Sequence, residues 1–133
     1  MISGKDYIHI TEVFFYFLKE EFGFREPTTT DRENLFYDVE YKKENLVISI
    51  SYENREDHFQ VTLFKTKNGI SDYDDKNSTI HLSALNKEVY PVLTQKDFEE
   101  NNTFFTSTGA SSVLEKRMLK AAKELRLCLK HMI

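Results

Sequence analysis

The sequence is poor in several residue types on which common functional sites depend. Its 133 residues include no Trp, two Pro, four Gly and a single Cys, Cys128. One cysteine excludes a disulfide within the chain, and four glycines leave little material for a phosphate-binding loop. No serine stands between two glycines, as it would in a nucleophile elbow. We therefore expect no disulfide-stabilised fold and no bound cofactor.

Long apolar runs and an excess of basic charge are also missing. No stretch approaches the ~18 apolar residues of a membrane-spanning helix, and no basic segment followed by an apolar run marks a leader peptide. The charge is mildly acidic, with 18 Lys and Arg against 22 Asp and Glu. Proteins that bind nucleic acids typically carry a basic surface. These features predict a soluble cytoplasmic protein that binds neither membranes nor nucleic acids.

The composition nevertheless predicts a folded core. Hydrophobic residues make up 40% of the chain and aromatic residues 14%, which is too apolar for a disordered protein. A chain of this size buries about two thirds of the surface that it exposes when unfolded. Because the sequence contains no internal repeat and no linker, we expect residues 1–133 to form a single domain.

The N-terminal segment has the pattern of an amphipathic helix from Lys5 to Phe22. Ser3 and Asp6 have the spacing of a capping box, and Gly23 follows as a stop. Apolar residues cover more than half of the helix circumference, so more than one neighbour must cover them. Either other parts of the chain do so, or three aromatic side chains contribute to a homodimer or partner interface. These three are Phe15, Tyr16 and Phe22.

Three segments in the middle of the chain alternate apolar and polar residues in step, which predicts antiparallel strands. They run from Leu35 to Tyr41, from Leu46 to Tyr52 and from Phe59 to Leu63. Turns at 42–45 and 53–58 would place apolar residues opposite one another. The expected pairs are Tyr41 with Leu46, Val39 with Ile48, Tyr52 with Phe59 and Ile50 with Val61.

The other face of this sheet is predicted to be polar and solvent-exposed. Its side chains are those of Asp38, Glu40, Ser49, Ser51, Gln60 and Thr62. The same face carries Phe36, Val47 and Phe64, and this apolar patch is a candidate partner-binding surface. Alternatively, the loop after Lys65 or the Phe104–Phe105 segment folds over the patch as a third layer, since cross-strand apolar pairs are ordinary sheet stabilisers.

The remaining chain completes an α+β pattern. A short strand is predicted at 79–82 and a turn of helix at 83–89, whereas 96–108 is polar and only weakly patterned. A C-terminal helix begins with Ser112 and Glu115 in capping-box spacing and has one apolar face. That face carries Leu114, Met118, Ala121, Ala122, Leu125, Leu129 and Met132. We expect helices at both ends packed on a three- or four-stranded antiparallel sheet.

An acidic run in the loop after the third strand suggests calcium binding at first sight. Counting from Asp72, however, the sixth position is Asn77 rather than glycine and the twelfth is Ser83 rather than glutamate. We therefore interpret the aspartates of this run as an exposed loop and as candidate partner contacts. They are Asp72, Asp74 and Asp75. The four histidines are scattered without metal-ligand spacing, so no metal site is predicted.

Two carboxylates and one histidine on the polar sheet face are the candidates for catalysis or small-ligand binding. Asp38 and Glu40 lie two residues apart on one strand, roughly 6 to 7 Å by strand rise, which a glycosidase-like pair allows. His58 begins the next strand but one on the same face. A general acid needs a desolvated carboxyl, and no sign of desolvation is visible in the pattern. Cys128 is interpreted as a small buried hydrophobe.

A Phe-rich helix ends in Phe22-Gly23-Phe24, a strand carries the segment Leu-Val-Ile-Ser-Ile-Ser-Tyr-Glu-Asn-Arg at 46–55, and a Lys-rich helix closes the chain. This order resembles small bacterial proteins, some of them immunity proteins encoded beside polymorphic toxins. The resemblance implies a non-catalytic cytoplasmic protein that binds and blocks a partner. The chain is also similar to type III secretion chaperones, which implies a dimer with apolar grooves, although the stretch after Leu82 lacks two further strands.

The leading prediction is a protein-binding domain without enzymatic activity, immunity-like in that it neutralises a partner toxin. Two alternatives stay open. One is a dimeric protein similar to secretion chaperones, and the other is a small-ligand-binding protein or enzyme that uses the polar sheet face.

Overall fold

The computed structural model describes residues 1–67, 70–71 and 79–132. The chain divides into two compact units, Met1–His81 and Leu82–Ile133. The first unit contains two short helices and an antiparallel sheet, and the second is helical. The α+β class predicted from the sequence pattern is confirmed. The single domain and the packing of the C-terminal helix on the sheet stay predictions.

The predicted N-terminal helix is divided in two. Helix α1 spans Gly4–Phe14 and helix α2 spans Phe17–Glu20. Between them, Phe15 leaves helical geometry with φ −104° and ψ 19°, while its amide still donates to the carbonyl of Thr11. The Phe15 side chain is fully buried, so tertiary packing interrupts a helix that periodicity alone would continue. Gly23, with φ 73°, ends the segment as predicted.

In the described residues of the first unit, six strands form the sheet, and each is antiparallel to its neighbours. They are β1 (Thr28–Arg32), β2 (Phe36–Lys43), β3 (Leu46–Glu53), β4 (His58–Lys67), β5 (Ile70–Ser71) and β6 (Thr79–His81). The order is β1-β2-β3-β4-β5, and β6 pairs with β4. The predicted count of three or four strands is too low, because the threonine-rich β1 and the two-residue β5 carry no apolar alternation.

The register of the first hairpin differs from the prediction by two residues. Strand β2 continues to Lys43, and Glu44 and Asn45 alone form the turn. The observed apolar pairs are Tyr41 with Ile48 and Val39 with Ile50. A shift of two residues keeps every side chain on its face, so alternation could not distinguish the two registers. The second hairpin has the predicted register, with Tyr52 opposite Phe59, Ile50 opposite Val61 and Val47 opposite Phe64.

Helix α1 is anchored to the apolar sheet face by Tyr7. The Tyr7 hydroxyl donates a 2.9 Å hydrogen bond to the carbonyl of Ile50. Its ring stacks on Tyr37 and Tyr52, with centroid distances of 5.4 and 5.8 Å. The side-chain amide of Asn54 donates a 2.9 Å hydrogen bond to the Tyr37 hydroxyl. This arrangement places α1 over β2 and β3 and leaves the polar face on the other side of the sheet.

The second unit consists of helices. They are α3 (Leu82–Val89), a 3₁₀ turn (Tyr90–Val92), α4 (Gln95–Phe104) and α5 (Val113–Met132). In α5 the Ser112 and Glu115 side chains each accept a hydrogen bond from the other residue's amide, which confirms the predicted capping box. Helix α4 was not predicted, although Thr94 and Asp97 form a capping box at its start.

Candidate functional site

Two carboxyl side chains lie together on the polar face of the sheet. Asp38 and Glu40 point to the same side of β2, opposite Ser51 and Ser49 of β3 respectively. The hydroxyl of Ser49 donates a 2.6 Å hydrogen bond to Oδ1 of Asp38. The alternation of β2 therefore brings the two predicted acidic residues together, and β3 supplies a hydroxyl donor to one of them.

The environment of Asp38 favours its protonated form. Burial, a hydrogen bond with Glu40 and the charge of Glu40 raise the pKa of Asp38 to about 6, against the opposing effect of the Ser49 hydroxyl. A hydrogen bond between two carboxyl groups requires that one of them carries a proton. The pair can therefore hold or release a proton near pH 6. The half-buried carboxyl of Asp38 is thus partly desolvated, for which the sequence pattern gave no sign.

The third predicted residue of this set, His58, does not join the carboxyl pair. It lies opposite Glu53 at the start of β4. Asp38 lies beside Ser51 of β3, which in turn lies beside Gln60 of β4, so His58 is two residues away from this line of neighbours. The His58 ring is exposed, and its Nε2 lies 3.0 Å from the amide oxygen of Gln60. Asp38 and Glu40 therefore come together without the histidine.

The expectation of a solvent-exposed polar face is wrong for its centre. Ser49, Ser51 and Thr62 are all buried. Thr62 lies beside β6, where its hydroxyl oxygen is 3.4 Å from Nδ1 of His81. Small hydroxyl side chains allow such burial because each can find a hydrogen-bond partner at little steric cost.

The apolar patch predicted on this face is also covered. Val47 and Phe64 are buried, and Phe36 is half-buried beneath the guanidinium of Arg32 at 5.5 Å from the ring centroid. The role of these residues in partner binding stays a prediction. The other predicted contacts, Asp72, Asp74 and Asp75, lie outside the described residues.

An exposed stripe runs along the first two helices on the side away from the sheet. We call it the outer stripe, and it consists of His9, Val13, Tyr16 and Glu20, all exposed. The Tyr16 hydroxyl donates a 2.6 Å hydrogen bond to Glu20, which raises the pKa of Tyr16. The ammonium of Lys19 lies 5.9 Å from the Tyr16 ring centroid and pairs with Glu26. The exposed Val13 and Tyr16 therefore form an apolar centre, and the charged side chains next to Tyr16 are held by contacts within the chain.

The outer stripe contains one of the three aromatic residues predicted to form an interface. Tyr16 is exposed, whereas Phe15 and Phe22 are buried within the chain. Val13 was not predicted to form part of this surface, and its exposure is visible only in the structure. The homodimer predicted through this helix stays a prediction.

The second unit holds two separate buried polar contacts that the sequence pattern did not predict. Arg126 donates a 2.8 Å hydrogen bond to the side-chain oxygen of Asn101 on α4, and its guanidinium stacks 3.9 Å from the ring centroid of Phe104. The buried Cys128 thiol donates to the side-chain oxygen of Asn86 at 3.0 Å. Burial, with a smaller effect of Glu124, raises the pKa of Cys128 to about 12. Cys128 is thus a small buried residue, as predicted.

The part of the chain that the structure describes contains neither a cluster of metal-ligating side chains nor a membrane-spanning helix. Within residues 1–67, 70–71 and 79–132, no three His, Cys, Asp or Glu side chains cluster as metal ligands would. No described helix is long and apolar enough to cross a membrane.

The fold and the candidate sites define an α+β protein with a carboxyl pair on its sheet and an exposed outer stripe on its first helices. Comparison of the chain with protein-family models, with curated proteins and with solved structures gives no significant match.

Proposed function

We propose that the chain is a non-catalytic protein-binding domain whose partner presents a basic surface. The observation that carries this proposal is the uneven distribution of charge. The first unit has 16 Asp and Glu against 10 Lys and Arg, and the second has 6 against 8. A concentrated negative field attracts a basic partner and accelerates its association.

An immunity-like role, in which the chain binds and neutralises a toxin in a bacterial cytoplasm, fits the negative charge of the first unit. Blocking a toxin requires a complementary surface and no catalytic group on the blocking protein. The resemblance of the sequence pattern to immunity proteins favours the same role.

Affinity purification of the tagged full chain from its native cells, followed by mass spectrometry, tests the proposal. The partner is then purified, and the mass of the complex is measured by light scattering. We expect a partner of basic isoelectric point and a dissociation constant that rises with ionic strength, because salt screens exposed charges. Binding that is insensitive to salt, or no complex with any protein, would contradict the proposal.

A second candidate, a small-ligand-binding protein or enzyme, is favoured by the carboxyl pair. A carboxyl whose pKa is about 6 beside a second carboxyl is an arrangement that acid-base catalysis uses. Asp38→Asn separates the two candidates. If the sheet face binds a ligand, this variant loses the thermal stabilisation that the ligand confers, whereas a protein partner bound elsewhere keeps its affinity.

A further inference from the structure

We propose that the outer stripe is the surface through which the chain contacts its basic protein partner. This inference deepens the proposed function and rests on it. Within the described residues of the first unit, the stripe combines exposed apolar side chains, an ordered aromatic residue and the carboxylate of Glu20.

The apolar centre of the outer stripe has the size of an anchoring contact. Val13 is 54% exposed and Tyr16 is 52% exposed, three residues apart along the helical segment. Val13 belongs to the end of α1, and Tyr16 directly precedes α2 and is bonded to Glu20. Interface centres are enriched in tyrosine, and a few such residues supply most of the binding energy.

The Tyr16 ring is ordered before any partner arrives. Its hydroxyl is bonded to Glu20, and Lys19 lies 5.9 Å from its centroid. Lys19 is itself paired with Glu26. Because these contacts restrict the ring, binding costs less conformational entropy than it would for a freely rotating side chain. This ordering favours a role in recognition.

The charges around the stripe determine the kind of partner. Residues 12–26 contain four Glu against one Lys and one Arg. Both Glu12 and Glu26 lie close enough to Lys19 to raise its pKa. A second copy of the chain would bring the same negative charges against this surface, and like charges disfavour association. The favoured occupant is therefore a basic protein rather than a second copy.

Site-specific photo-crosslinking tests this assignment. A benzoylphenylalanine is introduced at Tyr16 of the full chain, and in a matched control at Tyr90, which is 39% exposed in the second unit. Both proteins are irradiated in extracts of native cells, and the adducts are identified by mass spectrometry. We expect an adduct with a protein of basic isoelectric point from position 16 and none from position 90.

Competition then ties the adduct to the stripe. Unlabelled wild-type chain should suppress the position-16 adduct, and Tyr16→Ala or Val13→Asp should be at least about tenfold weaker competitors. The Tyr90→Ala control should compete as well as wild type. An adduct of twice the chain mass would mean that a second copy occupies the stripe and would overturn the inference. If a complex recovered by affinity purification gives no adduct at position 16, the stripe assignment fails while the proposed function stands.

Discussion

The Ser49 hydroxyl donates a 2.6 Å hydrogen bond to Asp38 across β2 and β3. Both residues lie on the face of the sheet that the sequence pattern predicts to be polar and exposed, yet Ser49 is buried. This hydrogen bond stabilises the charged carboxylate and so lowers the pKa of Asp38. Partial burial and the adjacent Glu40 have the opposite and larger effect, so the pKa of Asp38 is raised. The carboxyl pair should therefore be visible in the pH dependence of stability.

Replacement of Asp38 by Asn should stabilise the protein near pH 7. The pKa of Asp38 is about 6 in the folded chain and about 4 in an unfolded one. The folded state therefore holds the proton more tightly, and the contribution of Asp38 to the free energy of unfolding falls as pH rises from about 4 to about 6. Since the carboxyl is partly exposed, we expect a gain on the order of 1 kcal/mol for Asp38→Asn at pH 7 and almost none at pH 4.

Urea unfolding from pH 4 to pH 7.5 measures this difference between variant and wild type. Ser49→Ala provides a second variant: without its hydroxyl the pKa of Asp38 should rise further, and the pH-dependent range should extend to higher pH. A difference between Asp38→Asn and wild type that stays constant across this range would contradict the assigned environment.

Tyr7→Phe should lower the free energy of unfolding by about 1 to 2 kcal/mol, because it leaves the buried Ile50 carbonyl without the Tyr7 hydroxyl. Tyr16→Phe is the matched control, since it also removes one hydroxyl but from an exposed ring. Its effect should stay within about 0.5 kcal/mol. Equal effects of the two substitutions in urea unfolding would mean that Tyr7 does not anchor α1.

Glu44→Gly should stabilise the first hairpin. Glu44 has φ 50° at the first position of the two-residue turn, where glycine avoids the clash of a side chain with the backbone. We expect a gain of about 0.5 to 1 kcal/mol, and a loss of about 1 kcal/mol for Glu12→Gly in the last turn of α1. Thermal unfolding of both variants checks the opposite signs, and a loss for Glu44→Gly would argue against the turn geometry.

The Cys128 thiol should be unreactive in the folded protein. It is buried, bonded to Asn86, and its pKa is raised to about 12. Because the thiolate is the reactive form, its reaction with a disulfide reagent at pH 8 should be at least about 100-fold slower than in urea. Similar rates in the two states would show that the helix opens readily or that the thiol is exposed.

The faces of the strands could be predicted from the sequence, whereas the register of the first hairpin could not. Alternation assigns Val39 and Ile48 to the apolar face in either register, and the choice depends on whether the turn is formed by Glu44 and Asn45 alone. Helix α4 escaped prediction because the side chain that it buries is the polar Asn101, so the helix carries no apolar stripe.

The candidate sites could be predicted only in part. The spacing of Asp38 and Glu40 predicted that they share a face, but their desolvation depends on tertiary burial, which strand alternation does not report. The exposure of Tyr16 beside the buried Phe15 likewise depends on which neighbours cover this helical segment. Burial of that kind follows from the whole fold rather than from local pattern.

The affinity of the purified partner for wild type, Tyr16→Ala and Tyr90→Ala, measured by titration calorimetry, tests the central claim most directly. An outer stripe that binds a basic partner predicts a dissociation constant at least about tenfold higher for Tyr16→Ala and unchanged for Tyr90→Ala. Equal affinities of all three proteins would contradict it.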